Sequence, residues 1–84
     1  MKSGEFMVLL KIKKIVNEIL STNISIKDDS DLQEFGMDSI KFVQIIIALE
    51  DEFKCEIPEE FFLMEKMNSV DKIERVISKL LEEK

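Results

Sequence analysis

Histidine, tryptophan and tyrosine are absent from this 84-residue sequence, and glycine, proline and cysteine occur only two, one and one times. Without histidine, the chain lacks the usual general base, the commonest metal ligand and any Ser-His-Asp triad. A single cysteine provides no disulfide framework and is typical of a reducing compartment. The scarcity of glycine and proline, with abundant Leu, Ile, Glu and Lys, favours helices.

The charge balance is acidic, with 18 acidic and 12 basic side chains and a formal net charge of −6. This balance argues against nucleic-acid binding, which needs a basic face. No apolar run has the length of a membrane span, and no signal peptide is recognisable. We therefore expect a monomeric cytoplasmic protein with no membrane or nucleic-acid partner.

The length of the chain predicts one small domain. Residues 1–6 precede a second methionine, Met7, and two interpretations stay open. They are either a leader left by recombinant expression or part of the natural chain. The fold argument starts at Met7, and we expect residues 7–84 to form a single domain.

Hydrophobic periodicity predicts an all-α bundle of three principal helices and one short helix. The first helix covers residues 7–20. The second begins where Asp38 or Ser39 caps it and continues to about Phe53. Pro58 and the acids after it predict a short helix over residues 59–64. Ser69 is expected to cap the last helix.

The connection over residues 21–38 is long for a small domain, and such connections are often functional. Ser30 with Gln33 fits a capping box, which predicts a short helical turn near residues 30–34. Gly36 allows the backbone to turn before the second helix. Four apolar residues are expected to hold this connection against the core: Ile24, Ile26, Leu32 and Phe35.

The second predicted helix has an apolar arc broader than one packing partner requires. Its first stripe consists of Phe42, Ile46, Leu49 and Phe53. Its second stripe consists of Ile40, Val43 and Ile47, with Ile45 beside it. Such a helix is either central to the domain or lines a cavity.

Charge is concentrated around this helix. Residues 28–60 contain eleven acids and two lysines, a net charge of −9. A partner that docks there is expected to be basic. The aspartates at 28, 29 and 31 lack the glycine and distal glutamate of an EF-hand loop, so we expect a solvated acidic loop and no metal site. Cys55 has no histidine to make its thiol reactive and is interpreted as apolar filler near a helix end.

Several motifs agree in order and spacing. Phe-Gly-Met-Asp-Ser-Ile occupies residues 35–40, Ala-Leu-Glu-Asp-Glu-Phe residues 48–53, and Glu-Ile-Pro residues 56–58. Together they resemble the acyl carrier protein family, with its Leu-Gly-x-Asp-Ser-Leu signature, acidic helix end and Ile-Pro before a short third helix. The resemblance covers about residues 7–82. It implies the four-helix bundle of acyl carrier proteins, which matches the helices predicted above.

The resemblance also implies a function. The serine after the aspartate carries 4′-phosphopantetheine in that family, so Ser39 would carry it here, with Asp38 as the adjacent motif residue. A phosphopantetheinyl transferase would attach the group, and acyl-loading and acyl-processing enzymes would be the other partners. The chain would thus be a phosphoprotein of fatty acid or related lipid or polyketide biosynthesis, with acyl groups held as thioesters and no catalytic residue of its own.

Two sets of further site residues are expected on this basis. The residues that would contact partners are Asp38, Ile40, Lys41, Gln44 and Glu50. The residues that would line a pocket for the acyl chain are Val43, Ile46, Ile47 and Phe62. The broad apolar arc of the second helix, together with the segment 61–64, would shelter the chain.

Departures from the family pattern keep alternatives open. Phe35 replaces the usual leucine, Ile40 follows the serine, and Lys41 and Gln44 stand where carriers of fatty acid synthesis usually have acids. Such residues also occur in aminoacyl or peptidyl carriers of nonribosomal peptide assembly, which is the first alternative. A small helical adaptor without cofactor, in which Ser39 only caps a helix, is the second. An autonomous serine hydrolase is least expected because no base is available to Ser39.

Overall fold

In the computed structural model, which describes residues 3–22 and 26–82, all regular secondary structure is helical. Helix α1 spans Ser3–Leu20, α2 spans Ser39–Phe53 and α3 spans Val70–Glu82. Three single 3-10 turns lie between them, at Leu32–Phe35, Glu59–Phe61 and Met64–Lys66. The prediction of an all-α fold with three principal helices is therefore confirmed. Helix α1 begins four residues before the predicted start at Met7, and the nature of residues 1–6 stays a prediction.

The predicted short fourth helix is not confirmed. In its place are the two separate turns at Glu59–Phe61 and Met64–Lys66, with Leu63 in an extended conformation (φ −119°, ψ 127°) between them. Neither turn has a side-chain hydrogen bond at its N-cap. Pro58 and two acids favour helix initiation, but the apolar run after them has no helical period that would extend it.

Helix α1 packs against both α2 and α3, and it therefore lies between them in the bundle. Its buried residues follow the predicted spacing, and Ile12 and Val16 are fully enclosed. Helix α3 begins after Ser69, whose Oγ accepts a hydrogen bond from Lys72 N at 3.4 Å, so the predicted cap is confirmed. The remaining core residues are contributed by all three helices and by the loops: Val8, Ile15, Leu20, Ile26, Leu32, Met37, Phe42, Ile45, Ile46, Leu49, Ile57, Met67, Val70, Ile73, Val76 and Ile77.

The long connection between α1 and α2 is fastened to the start of α3. Leu32 N donates to Asn68 O at 2.8 Å, and Asp71 N donates to Asp28 O at 2.9 Å. Leu32 itself is fully buried, as the sequence predicted, and Ile26 is buried beside it. Of the other two expected anchors, Phe35 is partly buried, and Ile24 lies outside the described residues. These contacts give the chain before α2 a fixed position, although it has little regular structure.

Candidate functional site

The chain turns sharply before α2. Gly36 has φ +102° and ψ 8°, a left-handed conformation that a residue with a side chain rarely adopts. Its N–H donates to Gln33 O at 3.2 Å, and the next residue, Met37, donates to Leu32 O at 3.2 Å and is buried. The 3-10 turn before Gly36 is capped by Asp31, whose Oδ1 accepts from Gln33 N at 3.0 Å, and not by Ser30 as the sequence suggested.

Asp38 is the N-cap of α2. Its backbone is extended, and its Oδ1 accepts a hydrogen bond from Lys41 N at 2.9 Å. Its carbonyl oxygen accepts the first helical bond, from Phe42 N at 2.8 Å. Of the two caps that the sequence allowed, the structure therefore selects Asp38. Ser39 is the first helical residue, and it is exposed.

The surroundings of Ser39 suit an attached anion better than they suit nucleophilic catalysis. The first N–H groups of a helix have no intrahelical acceptor, and the helix dipole places partial positive charge at this end. A phosphate ester on the Ser39 side chain would meet both effects. No histidine exists in the sequence, and the neighbouring carboxylate of Asp38 is already engaged with Lys41 N.

A groove of about 520 Å³ leads away from Ser39 along α2 and is open to solvent. One wall is α2, and the opposite wall is the segment between the two 3-10 turns, represented by Phe62, Leu63 and Met64. The side chains of Val43 and Ile47, 51% and 59% exposed, form part of the α2 wall. Val43 and Ile47 of the second apolar stripe thus face the groove, together with Phe42 and Ile46 of the first, whereas Ile40 is outside the lining and Ile45 is buried.

The structure brings together all four residues expected to line an acyl-chain pocket. Val43, Ile46, Ile47 and Phe62 lie around the same groove. Leu63 and Met64 also line the groove, and they belong to the segment 61–64 that was expected to shelter the acyl chain. Phe42 and Glu50 were not named as pocket residues. A signal for both was present, since positions 39, 42, 43, 46, 47 and 50 share one face of a helix.

Glu50 lies at the far end of this groove from Ser39. Its Oε2 accepts a hydrogen bond from Ile57 N at 2.9 Å. Because Ile57 is buried and belongs to the loop after α2, this bond ties the loop to the helix. The sequence suggested only a partner contact for Glu50, and that role stays a prediction.

The other expected partner residues surround Ser39. Asp38, Ile40 and Gln44 are exposed, and Lys41 is partly buried. Ile40 is 71% exposed, the highest value among the large apolar side chains that the structure describes as exposed. The surface beside Ser39 therefore carries one acid, one cation, one amide and one strongly exposed apolar side chain. The acids of α2 follow three turns later, at residues 50–52.

The acidic residues of the loop and Cys55 make contacts within the domain. Lys13 Nζ lies 2.8 Å from Asp28 Oδ1, and Asp31 caps the 3-10 turn. No group of acids or cysteine able to hold a metal ion occurs in the described part of the chain. Cys55 is partly buried against the core, and its N–H donates to Glu50 O at 3.3 Å.

Among the described residues, no helix combines the length and apolar character required of a membrane span. Comparison with protein families gives a positive result: the model of the phosphopantetheine attachment site matches residues 10–77, most of the chain. Proteins of this family are carrier domains without catalysis of their own, and they hold 4′-phosphopantetheine.

The described residues fit this prosthetic group. A phosphate ester needs an exposed hydroxyl, which Ser39 offers, and free N–H groups, which the start of α2 offers. The long arm needs an adjoining surface, and the apolar groove begins at the same serine. By the match and by this fit, the chain belongs to the phosphopantetheine attachment site family and is a carrier protein domain that holds 4′-phosphopantetheine.

Proposed function

We propose that Ser39 is the attachment residue and that the protein carries acyl groups for fatty acid or related acyl and polyketide biosynthesis. One observation carries the proposal: Asp38 takes over the capping of α2, and the adjacent Ser39 is exposed at the mouth of an apolar groove. Its hydroxyl is therefore available to a transferase without loss of the cap.

The bound group supplies a thiol at the end of a flexible arm, on which acyl groups are held as thioesters. The chain's own residues fix the start of the arm at the first turn of α2 and present it to partners. Tethering raises the effective concentration of the cargo at successive active sites. The acyl chemistry itself belongs to those partner enzymes.

Shelter of the acyl chain is the proposed role of the groove. Its volume of about 520 Å³ lies within the range of pockets that bind small molecules. Each methylene taken from water would stabilise the sheltered state by up to about 0.8 kcal/mol. We infer that the two 3-10 turns over residues 59–66 replace the short helix of the four-helix bundle and provide one wall of the groove.

Partners are proposed to dock on the surface around Ser39. They are a phosphopantetheinyl transferase and enzymes that load and process the acyl group. The contacts assigned to them are Asp38, Ile40, Lys41, Gln44 and, through its exposed edge, Glu50. We further propose that the domain acts as a monomer in the cytoplasm, in line with its single cysteine.

An aminoacyl or peptidyl carrier is the second candidate, and the surface beside Ser39 favours it. Lys41 and Gln44 replace acids there, and Ile40 is strongly exposed. The surface nearest Ser39 is thus less acidic than the resemblance to carriers of fatty acid synthesis would imply. Identification of the thioester cargo separates the two carriers. The family match disfavours an adaptor without cofactor.

Intact-mass measurement tests the attachment directly. The chain is incubated with a phosphopantetheinyl transferase, coenzyme A and Mg²⁺, and the parent is expected to gain one phosphopantetheine. Ser39→Ala should gain none, whereas Ser30→Ala, a control in the preceding loop, should be modified like the parent. Modification that persists in Ser39→Ala would refute the assignment. So would a parent that resists several transferases of different specificity.

A further inference from the structure

The groove beside Ser39 has one charged residue among its nine lining residues. Seven of these residues are apolar, and Ser39 and Glu50 are the other two. Glu50 follows Ser39 by eleven residues, slightly more than three helical turns, so both lie on the same face of α2. Their separation along the helix axis is about 16 Å. The groove therefore begins at a hydroxyl and ends at a carboxylate.

Glu50 differs from the two acids that follow it. Asp51 lies 3.9 Å from Lys54 Nζ, and Glu52 lies 3.5 Å from Lys11 Nζ. These pairs involve well exposed side chains and contribute little to stability. The Glu50 carboxylate instead faces the groove and accepts from Ile57 N through Oε2. No lysine or arginine belongs to the lining.

One Glu50 oxygen keeps its capacity to accept hydrogen bonds. An ionised carboxylate offers about four acceptor sites on two oxygens, and Ile57 N uses one of them at Oε2. A plain alkyl chain that reached this end of the groove would remove water from the carboxylate without replacing its hydrogen bonds, which is unfavourable. A chain with an ammonium group would supply donors and opposite charge.

We propose that Glu50 is a specificity residue for the cargo and that the groove favours an acyl chain bearing an ammonium group, as in an aminoacyl thioester, over a plain alkyl chain. Of the two candidate carriers above, this selectivity favours the aminoacyl carrier. This inference rests on the proposed attachment at Ser39, because an arm fixed there could lie along the groove and bring the acyl group at its end to Glu50. The structural bond to Ile57 N and the recognition of cargo use different acceptor sites of the same carboxylate. Glu50 thus holds the loop after α2 in place and also determines which acyl chain binds in the groove.

The test compares two loaded forms of the full chain. Ser39 is loaded from coenzyme A analogues with a hydrolysis-resistant amide in place of the thioester. One acyl chain ends in an ammonium group, and the other, of equal length, ends in a methyl group. Methyl resonances of Val43 and Ile47 report the fraction of chain in the groove, and the Glu50 side-chain carbon reports contact with its end.

Two variants isolate the charge of Glu50. Glu50→Gln keeps a carbonyl oxygen for Ile57 N and removes the charge, and the Ile57 amide resonance shows whether that bond persists. Glu52→Gln makes the same charge change outside the lining. In the parent, the ammonium-ended chain should occupy the groove about threefold to fivefold more than the methyl-ended chain, as expected for a partly exposed ion pair. Glu52→Gln should keep this preference, and Glu50→Gln should lose it.

The outcomes separate this inference from the proposed function. If neither analogue adds mass at Ser39, the attachment itself is refuted. If both load but the parent prefers the methyl-ended chain or shows no preference, the role of Glu50 is refuted and the carrier function stands. A preference that survives in Glu50→Gln also overturns the role of Glu50, and the comparison within the parent decides the matter even if that variant does not fold.

Discussion

Asp38 Oδ1 accepts a hydrogen bond from Lys41 N at 2.9 Å, while Ser39, the next residue, starts α2 with its side chain exposed. Capping and the proposed modification are thus assigned to neighbouring residues. If Ser39 were the cap, loss of the hydroxyl would weaken the helix and remove the attachment site together. Because the two roles belong to different residues, a substitution can remove the cap or the proposed attachment site without removing the other.

Asp38→Ala should lower the free energy of unfolding by about 0.5–2 kcal/mol, because it leaves Lys41 N without its acceptor. Ser39→Ala should change it by less than about 0.5 kcal/mol, since an exposed first-turn residue makes no cap. Urea denaturation followed by circular dichroism measures both. Asp38→Asn, which keeps a capping oxygen, is the control and should lie close to the parent. Equal losses in Ser39→Ala and Asp38→Ala would contradict this division.

Glu50→Ala should cost about 1–3 kcal/mol, because it leaves the N–H of the buried residue Ile57 without an acceptor. Glu50→Gln retains an acceptor oxygen and should cost less. Hydrogen exchange at the Ile57 amide should be faster in Glu50→Ala than in Glu50→Gln. If the two variants exchange at the same rate, the bond does not hold the loop.

The course of α2 could be predicted from the sequence because its periodicity is strong and a glycine precedes it. The face that lines the groove follows from the same periodicity, through Val43, Ile46 and Ile47. The capping residues could not be fixed in this way. Asp31 competes with Ser30, and Asp38 with Ser39, and both residue types are good caps. A shift of one residue in the start of the helix decides between the two caps. The tertiary contacts of Leu32 set where the helix starts.

The conformation of the segment after α2 depends more on tertiary contacts than the conformation of α2 does. Pro58 and two acids signal a helix start, but the helix does not propagate, and two 3-10 turns form. The bond between Glu50 and Ile57 N joins residues on opposite sides of a chain reversal, which no periodicity encodes.

Gly36→Ala should destabilise the domain by about 1–2 kcal/mol through backbone strain, because Gly36 has φ +102°. A steric clash is not the cause, since a Cβ placed there has no neighbouring atom within 4 Å. Gly36→Asn should cost less, because asparagine tolerates positive φ better than alanine. Thermal unfolding midpoints of the three proteins measure the order. An alanine variant as stable as the parent would contradict the strain.

Reversal of Asp51 and Glu52 to lysine should raise the transferase KM several-fold at low salt if the acidic end of α2 attracts a basic partner. The difference should shrink at high salt, because exposed charges are screened. These residues suit the test better than Glu50, whose replacement by lysine would also break the bond to Ile57 N. Lys41→Glu is the counterpart and should lower KM. A KM that responds neither to the reversals nor to salt would show that charge does not guide docking.

Ile40→Ala should weaken partner binding while leaving the domain stable. Its side chain is 71% exposed, so its removal should change the free energy of unfolding by less than about 0.5 kcal/mol. In a complex the same side chain would be buried next to the reacting serine, where a central apolar contact is worth more than about 1 kcal/mol, or about a fivefold rise in KM. Leu10→Ala is the matched control, since Leu10 is also exposed but lies on α1. A rise in KM of equal size in both variants, or in neither, would mean that partners do not dock through the first turn of α2.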